Sequence, residues 1–214
     1  MGQSMRYLQR GWALLRSRGP FGFLRFVLGR LVYRSWRSRV YRDQPDQTRL
    51  PSQWPQGYRY EICHRPSELS EAGREALERV GGREFFMGLD PSDRLYFVWH
   101  GAELASFGGI FWRSPQLQVL GLPDSAILVG GCQTTPSHQR RGLYRLALNE
   151  TAIRLRAEGL EPVYIEAHPN NTASLTGITS AGFSEVGLVE AGIWFNCFVQ
   201  RGGKWSRMRK ERRA

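Results

Sequence analysis

The stretch that most constrains how this chain can fold is residues 125–168, SAILVGGCQTTPSHQRRGLYRLALNETAIRLRAEGLEPVYIEAH. It begins as an apolar, strand-like run and breaks at Pro136. It restarts as a long helical pattern over 142–158 and closes on a second strand pattern over 162–168. Similar units lie on either side. Upstream are a strand pattern at 58–64 and a helix at about 67–80, with Pro66-Ser67 to start it and Gly81-Gly82 to stop it. Two aromatic and β-branched runs joined at His100-Gly101 follow, and then a proline-marked loop. Downstream come a helix over 171–181, ending at Gly182, and two strands within 183–200. The order β-α-β-β-β-α-β-α-β-β predicts an α+β domain around a mixed β-sheet flanked by helices, spanning 58–200.

Charge separates this body from its flanks. Residues 1–42 hold ten arginines and no acid, residues 201–214 carry a net +6, and the stretch between is −5. In the first segment Met5, Leu8, Trp12 and Leu15, then Phe23, Leu24, Val27, Leu28 and Leu31, recur at helical spacing with arginines between them. This predicts a basic amphipathic helical arm over 1–42, suited to the plane of an anionic membrane. A helical hairpin packed on the body or on a second subunit, as in a homodimer, is the other reading. The apolar stripe favours lipid over nucleic acid, and Phe21–Tyr33 is too short and too charged to span a bilayer. Residues 43–57, with three prolines and no period, read as a linker, and 201–214 as a basic tail. Cys63, Cys132 and Cys197 are widely spaced and the four histidines scattered, which points to a reducing, cytoplasmic setting and to no metal site.

The turn HQRRGLY is the candidate site. A helix N-terminus offers unpaired N–H groups and the positive end of its dipole. Gly142 keeps the backbone accessible, and Gln139, Arg140 and Arg141 add donors and charge. Together they suit a pyrophosphate. Neither a Walker loop nor GxGxxG is present.

Gln139-Arg140-Arg141-Gly142-Leu143 resembles the Q/R-x-x-G-x-G/A signature of the GNAT family of acyl-CoA-dependent N-acyltransferases, with Tyr144 in place of the second small residue. Pro136 ahead of it, and Asn171 followed eleven residues later by Gly182-Phe183, match the family pattern as well. The resemblance covers roughly 58–200. It implies a splayed sheet whose fourth and fifth strands part for the pantetheine arm, and acetyl-CoA or another acyl-CoA as co-substrate. It places Thr134 beside pantetheine and near the oxyanion, and Gln139, Arg140, Arg141, Gly142, Leu143, Tyr144 and Arg145 around the pyrophosphate. Asn171 would then contact the cofactor arm near the thiol. The acyl group would pass to a primary amine by direct attack, the acceptor being a small molecule such as an amino sugar or a lipid-linked intermediate at the cytoplasmic membrane surface.

The family's usual tyrosine, seven residues after the asparagine, is Ile178 here, so the catalytic residues stay unassigned. Glu166 is a candidate base through water, and Tyr144 is expected to fill the place of the missing small residue at the pyrophosphate turn. Of Cys132 and Gln133, one should face the cleft and the other the core. Trp99, Phe107, Phe111 and Trp112 read as core or cleft wall, and His138 as an exposed loop residue. A degenerate GNAT-fold adaptor and an RNA- or ribosome-associated acetyltransferase are the competing functions.

Overall fold

The computed structural model describes residues 32–44, 49–64, 68–79, 89–195 and 197–207. Strands β1 (Tyr33–Asp43), β2 (Tyr58–Cys63), β3 (Arg94–His100), β4 (Glu103–Phe111), β5 (Ile127–Thr134), β6 (Val163–Ala167), β7 (Phe183–Trp194), β8 (Phe198–Arg201) and β9 (Lys204–Arg207) form a sheet of order 2-3-4-5-6-1-7-8-9. Helices α1 (Glu71–Arg79), α2 (Pro115–Leu120), α3 (Leu143–Ala157) and α4 (Thr172–Ser180) connect them. Only β5 and β6 are parallel among the paired strands with a defined register; the other pairs are antiparallel. The sheet is therefore mixed, as the element order predicts.

The larger compact unit runs from Arg37 to Val189. Its central strands are buried on both faces, with side chains alternating between two cores. On β3, Tyr96 and Val98 join Leu143, Ala147, Leu148 and Leu155 of α3, whereas Leu95, Phe97 and Trp99 join Leu69, Ala76 and Leu77 around α1. A third cluster seats Leu117 and Leu120 of α2 on Val40, Leu128 and Tyr164. The helix α2 lies within the stretch expected to be a loop. Ser114 caps it through a bond from the Gln116 amide, Pro115 starts it, and Gly121 ends it at φ 70°.

Three boundaries differ from the sequence reading. Residues 33–42, assigned to the helical arm, are strand β1, which pairs with β6 from Arg39↔Ala167 to Arg42↔Tyr164. Here the period is two: Trp36, Ser38 and Val40 turn inward while Arg37 and Arg39 are exposed. The closely spaced arginines resemble helical interleaving, but the β-branched and aromatic residues favour a strand. The rest of the arm, 1–31, lies outside the described residues. The assigned linker is anchored rather than loose: Arg49, with only 5 % of its side chain exposed, forms an ion pair with Asp43 and donates to Asn149 Oδ1 at 2.9 Å and to Gly182 O at 3.1 Å. The first part of the basic tail is β9, in register with β8 from Phe198↔Arg207 to Arg201↔Lys204.

The smaller unit holds the described parts of 1–36 and 190–212. Tyr33 and Trp194 meet at 4.7 Å between ring centroids, and Trp194 and Trp205 at 5.9 Å. Phe195, Phe198 and Trp205 stand exposed on it. Among the described residues, no helix is long and apolar enough to cross a membrane.

Candidate active site

The site is built where two parallel strands separate. The register of β5 with β6 runs from Ile127↔Val163 to Val129↔Ile165 and goes no further. Past that point β5 carries Gly130, Gly131 and Cys132, while β6 stays paired with β1 on its other edge through Ala167. A bulge drives the separation. Between Phe107↔Gln133 and Gly109↔Gly130, β5 has one residue more than β4, and Gly131 takes φ 64°, which favours glycine. The bulge bends β5 and re-aims Cys132, Gln133 and Thr134. Successive residues then face opposite sides. Gln133 points into a cavity of about 560 Å³ between α1, β4 and the end of β5, lined also by Arg79, Phe107 and Thr134. Cys132 points to the α3 side, beside the Tyr96 hydroxyl, where burial pushes its thiol up to about 11. A thiol so placed stays protonated and is a poor nucleophile. The Tyr96 hydroxyl is fully buried and has no oxygen or nitrogen partner.

The turn out of β5 leads straight into α3. A single 3₁₀ turn, Pro136–His138, is followed by Gln139, whose Nε2 donates to Thr134 O at 3.3 Å. Arg140 at φ 63° and Gly142 at φ 73° give the backbone a left-handed twist on either side of Arg141. Holding a non-glycine residue there costs about 1 kcal/mol or more. Gly142 is the N-cap of α3 and offers no side-chain cap, and no acid lies in the first turn. The first amide to bond back is Leu146, to Gly142 O at 3.1 Å. The preceding amides lack intrahelical acceptors by helix geometry. Gln139, Arg140, Arg141, Gly142 and Arg145 are exposed around them, while the Leu143 side chain is buried and leaves only its backbone for a ligand. A β-carbon on Gly142 would meet nothing within 4 Å, so its positive φ, rather than close packing within the chain, requires glycine.

Tyr144 departs from the position expected of it. Its ring lies on Gly177 of α4, where a β-carbon would come within 2.5 Å of Cδ1. Burial of its hydroxyl pushes its pKa far above the usual phenol value. The ring is therefore directed at α4. The small residue that makes room is Gly177, on another helix.

Glu166 of β6, partly buried, follows Ile165, the last residue of β6 in register with β5. Its carboxylate accepts from Ser38 Oγ of β1 and from Gln116 Nε2 of α2, the latter at 2.7 Å. Burial raises its pKa, and the Gln116 amide partly offsets this. Asn171, placed by the sequence near the cofactor thiol, is exposed and caps α4, its Oδ1 accepting from Ser174 N at 3.2 Å. Ile178 is fully buried. His138 is not an exposed loop residue: it is 4 % exposed, with Nδ1 2.7 Å from Tyr58 Oη. The aromatic side chains of Trp99, Phe107, Phe111 and Trp112 fall in the cores as expected, and Phe107 also lines the cavity. The partners Ser38 and Gln116 escape the sequence reading because each sits in a segment assigned a different structure.

No family model matches the sequence, and no curated protein matches it either. Solved structures do. An acetyltransferase of the GNAT family from Novosphingobium aromaticivorans superposes with a TM-score of 0.50 at 16% identity, over 74% of this chain and 63% of that one. An acetyltransferase of the same family from Colwellia psychrerythraea gives 0.51 at 17% identity, over 72% and 54%. The fold is that of the GNAT acetyltransferases. The chain spans less than two thirds of the length of these two relatives. The mixed, splayed sheet flanked by helices is what this chain shares with them.

Proposed function

We propose that this chain is an acyl-CoA-dependent N-acyltransferase that passes an acetyl or other acyl group directly to a primary amine. The observation that carries this reading is the parting of β5 and β6 beyond Val129 and Ile165, with the uncapped, arginine-flanked N-terminus of α3 beside it. In this reading Arg140 to Arg145 hold the pyrophosphate on backbone amides and guanidinium charge. The edge of β5 from Cys132 to Thr134 pairs with pantetheine, and Asn171 borders the cofactor arm. The amine enters from the cavity bordered by Gln133 and Phe107. Glu166, its pKa raised by burial, takes the ammonium proton through water. The neutral nitrogen attacks the thioester carbonyl, the C–N bond forms, the C–S bond breaks, and the thiolate takes the surplus proton from nitrogen to leave as the free thiol. No step needs a covalent enzyme intermediate, in keeping with the protonated Cys132.

The basic segments 1–42 and 201–214, together with the exposed Phe195, Phe198 and Trp205, support action at an anionic membrane surface facing the cytoplasm. An amino sugar or a lipid-linked amine is the acceptor class that such a location presents. A second reading, a GNAT-fold adaptor without catalysis, is favoured by Ile178 in place of the family's usual tyrosine and by Tyr144 in place of its small residue.

Thiol release from acetyl-, octanoyl- and palmitoyl-CoA against a panel of amines separates the two. Turnover with any pair supports the enzyme, and binding of CoA without turnover supports the adaptor. Folded protein that binds no acyl-CoA overturns the enzyme. Replacing Arg140 and Arg141 together with Gln should raise the KM for acyl-CoA about tenfold or more, since each charge-assisted bond is worth about 1.5–3 kcal/mol.

A further inference from the structure

Outside the gap between β5 and β6, one cluster of side chains has a chemistry that acyl transfer does not use. His100 at the end of β3, Glu103 at the start of β4 and His138 of the 3₁₀ turn converge, with one ligand-type atom of each lying within 4.8 Å of the others. We propose that these three residues bind a divalent late first-row cation, zinc being the natural probe. The donor set, two imidazoles and one carboxylate, is one such ions favour.

The geometry of His138 carries the argument. Its side chain is buried, 4 % exposed, and its Nε2 is turned away from solvent toward Glu103. The nearest charged atom is Glu103 Oε2 at 3.2 Å. Zinc bonds of about 2.0–2.1 Å put neighbouring tetrahedral ligands about 3.3 Å apart, so these two atoms already stand at the spacing of one edge. The other ring nitrogen, Nδ1, is fixed by Tyr58 Oη at 2.7 Å. The tautomer in which Nδ1–H donates to that oxygen presents the Nε2 lone pair to the cluster, the outer-shell arrangement usual for metal-binding histidines. The Tyr58 ring also packs against His100, tilted by 37° at 4.6 Å between centroids, so one tyrosine contacts both imidazoles. Ser137 Oγ donates to the second oxygen of Glu103 at 3.2 Å and holds the carboxylate in place. His100 and Glu103 are exposed.

A cation here would tie the β3–β4 hairpin to the turn immediately before Gln139. Its role would be to hold the entry to α3 in shape, and the ligands come from both sides of that junction. Glu103 and Pro136 also line the 560 Å³ cavity, so the bound ion would form part of its rim.

The test is titration of the full chain with zinc chloride by calorimetry, with cobalt(II) as a spectroscopic probe in parallel. One equivalent of zinc is expected, together with a tetrahedral cobalt spectrum lacking thiolate charge-transfer bands. His100→Gln and Glu103→Gln, both at exposed positions, should each weaken binding at least tenfold, a loss that removal of an outer-shell partner alone can cause. His64→Gln and His168→Gln change the two remaining imidazoles of the chain and should leave the titration as it is. Absence of a stoichiometric zinc site would overturn the proposal. So would binding that survives both His100→Gln and Glu103→Gln, or a cobalt spectrum dominated by thiolate.

Discussion

A β-carbon on Gly177 would sit 2.5 Å from Cδ1 of Tyr144, inside the distance that packed atoms tolerate. In a helix, replacing Gly with Ala gains about 1 kcal/mol of intrinsic propensity. Overpacking against a buried ring costs about 1–3 kcal/mol. The clash should win, and Gly177→Ala should lower the melting temperature. In a Tyr144→Ala background the clash is absent, so the same substitution should become neutral or stabilising. A double-mutant cycle by thermal denaturation reads this coupling, and additive effects would show that the ring does not rest on Gly177. Glu166 gives a second test at this scale. Because burial raises its pKa, the carboxyl stays protonated to higher pH than the ordinary value of about 4.3. A base must be ionised, so the acid limb of kcat/KM should lie above the usual carboxylate range, with activity rising through it. Glu166→Gln should lower kcat by about a hundredfold or more and abolish that limb. Stability should respond in the opposite sense. The wild-type carboxyl contributes most below its unfolded pKa and loses that contribution as pH rises through the folded value. The glutamine variant should therefore gain relative to wild type between acid and neutral pH, which urea titrations at two pH values would show.

At the scale of elements, the segment that reads as a linker is a strap. Arg49 pairs with Asp43 at the end of β1, donates to Asn149 of α3 and to the carbonyls of Ala181 and Gly182 after α4, and lies over Phe183 at 5.0 Å. Arg156 adds a second bond to Asp43 at 2.7 Å. Removing one partner of such a buried pair leaves the other uncompensated, at a cost of about 3–5 kcal/mol. Arg49→Ala should therefore destabilise by about 3 kcal/mol or more in urea. Arg49→Lys should recover only part, because an ammonium cannot reach two carbonyls and a carboxylate in the geometry of the guanidinium. A Lys variant as stable as wild type would reduce the strap to simple charge pairing. The elements whose local period matches their burial are the ones legible in the sequence: β5, the turn into α3, α3 itself, β6 and α4. What remained hidden depends on long-range pairing. Strand β1 is recognised as a strand only through its ladder with β6, and Ser38 and Gln116 converge on Glu166 from separations of 128 and 50 residues. His138 reads as exposed because nothing local signals that Tyr58, eighty residues earlier, covers it.

Across the whole molecule, charge and fold divide the chain differently. By charge the first segment ends at residue 42, but by structure β1 begins at Tyr33, and its residues Arg39 to Arg42 pair with the strand that carries Glu166. Deleting 1–42 would remove Ser38 from Glu166 and an internal strand from the sheet, so loss of membrane binding in that variant would have no single cause. A deletion of 1–31 keeps β1 and removes six of the ten arginines. The two terms of membrane attraction then separate by salt. Charge attraction to anionic lipid weakens as the Debye length shrinks from about 10 Å at 0.1 M to about 3 Å at 1 M. Burial of Trp12, Phe21 and Phe23 in the headgroup region does not depend on that screening. Co-sedimentation of the full chain with phosphatidylserine-containing vesicles should fall with salt but keep a resistant fraction, and the 1–31 deletion should abolish that fraction. Trp205→Ala in the deleted chain then tests whether the exposed aromatics of β7–β9, set among Arg201, Lys204 and Arg207, hold what binding is left at low salt. Binding that disappears completely by 0.5 M salt in the full chain, with equal retention on RNA, would instead assign both basic segments to nucleic acid, where affinity falls steeply with every neutralised phosphate.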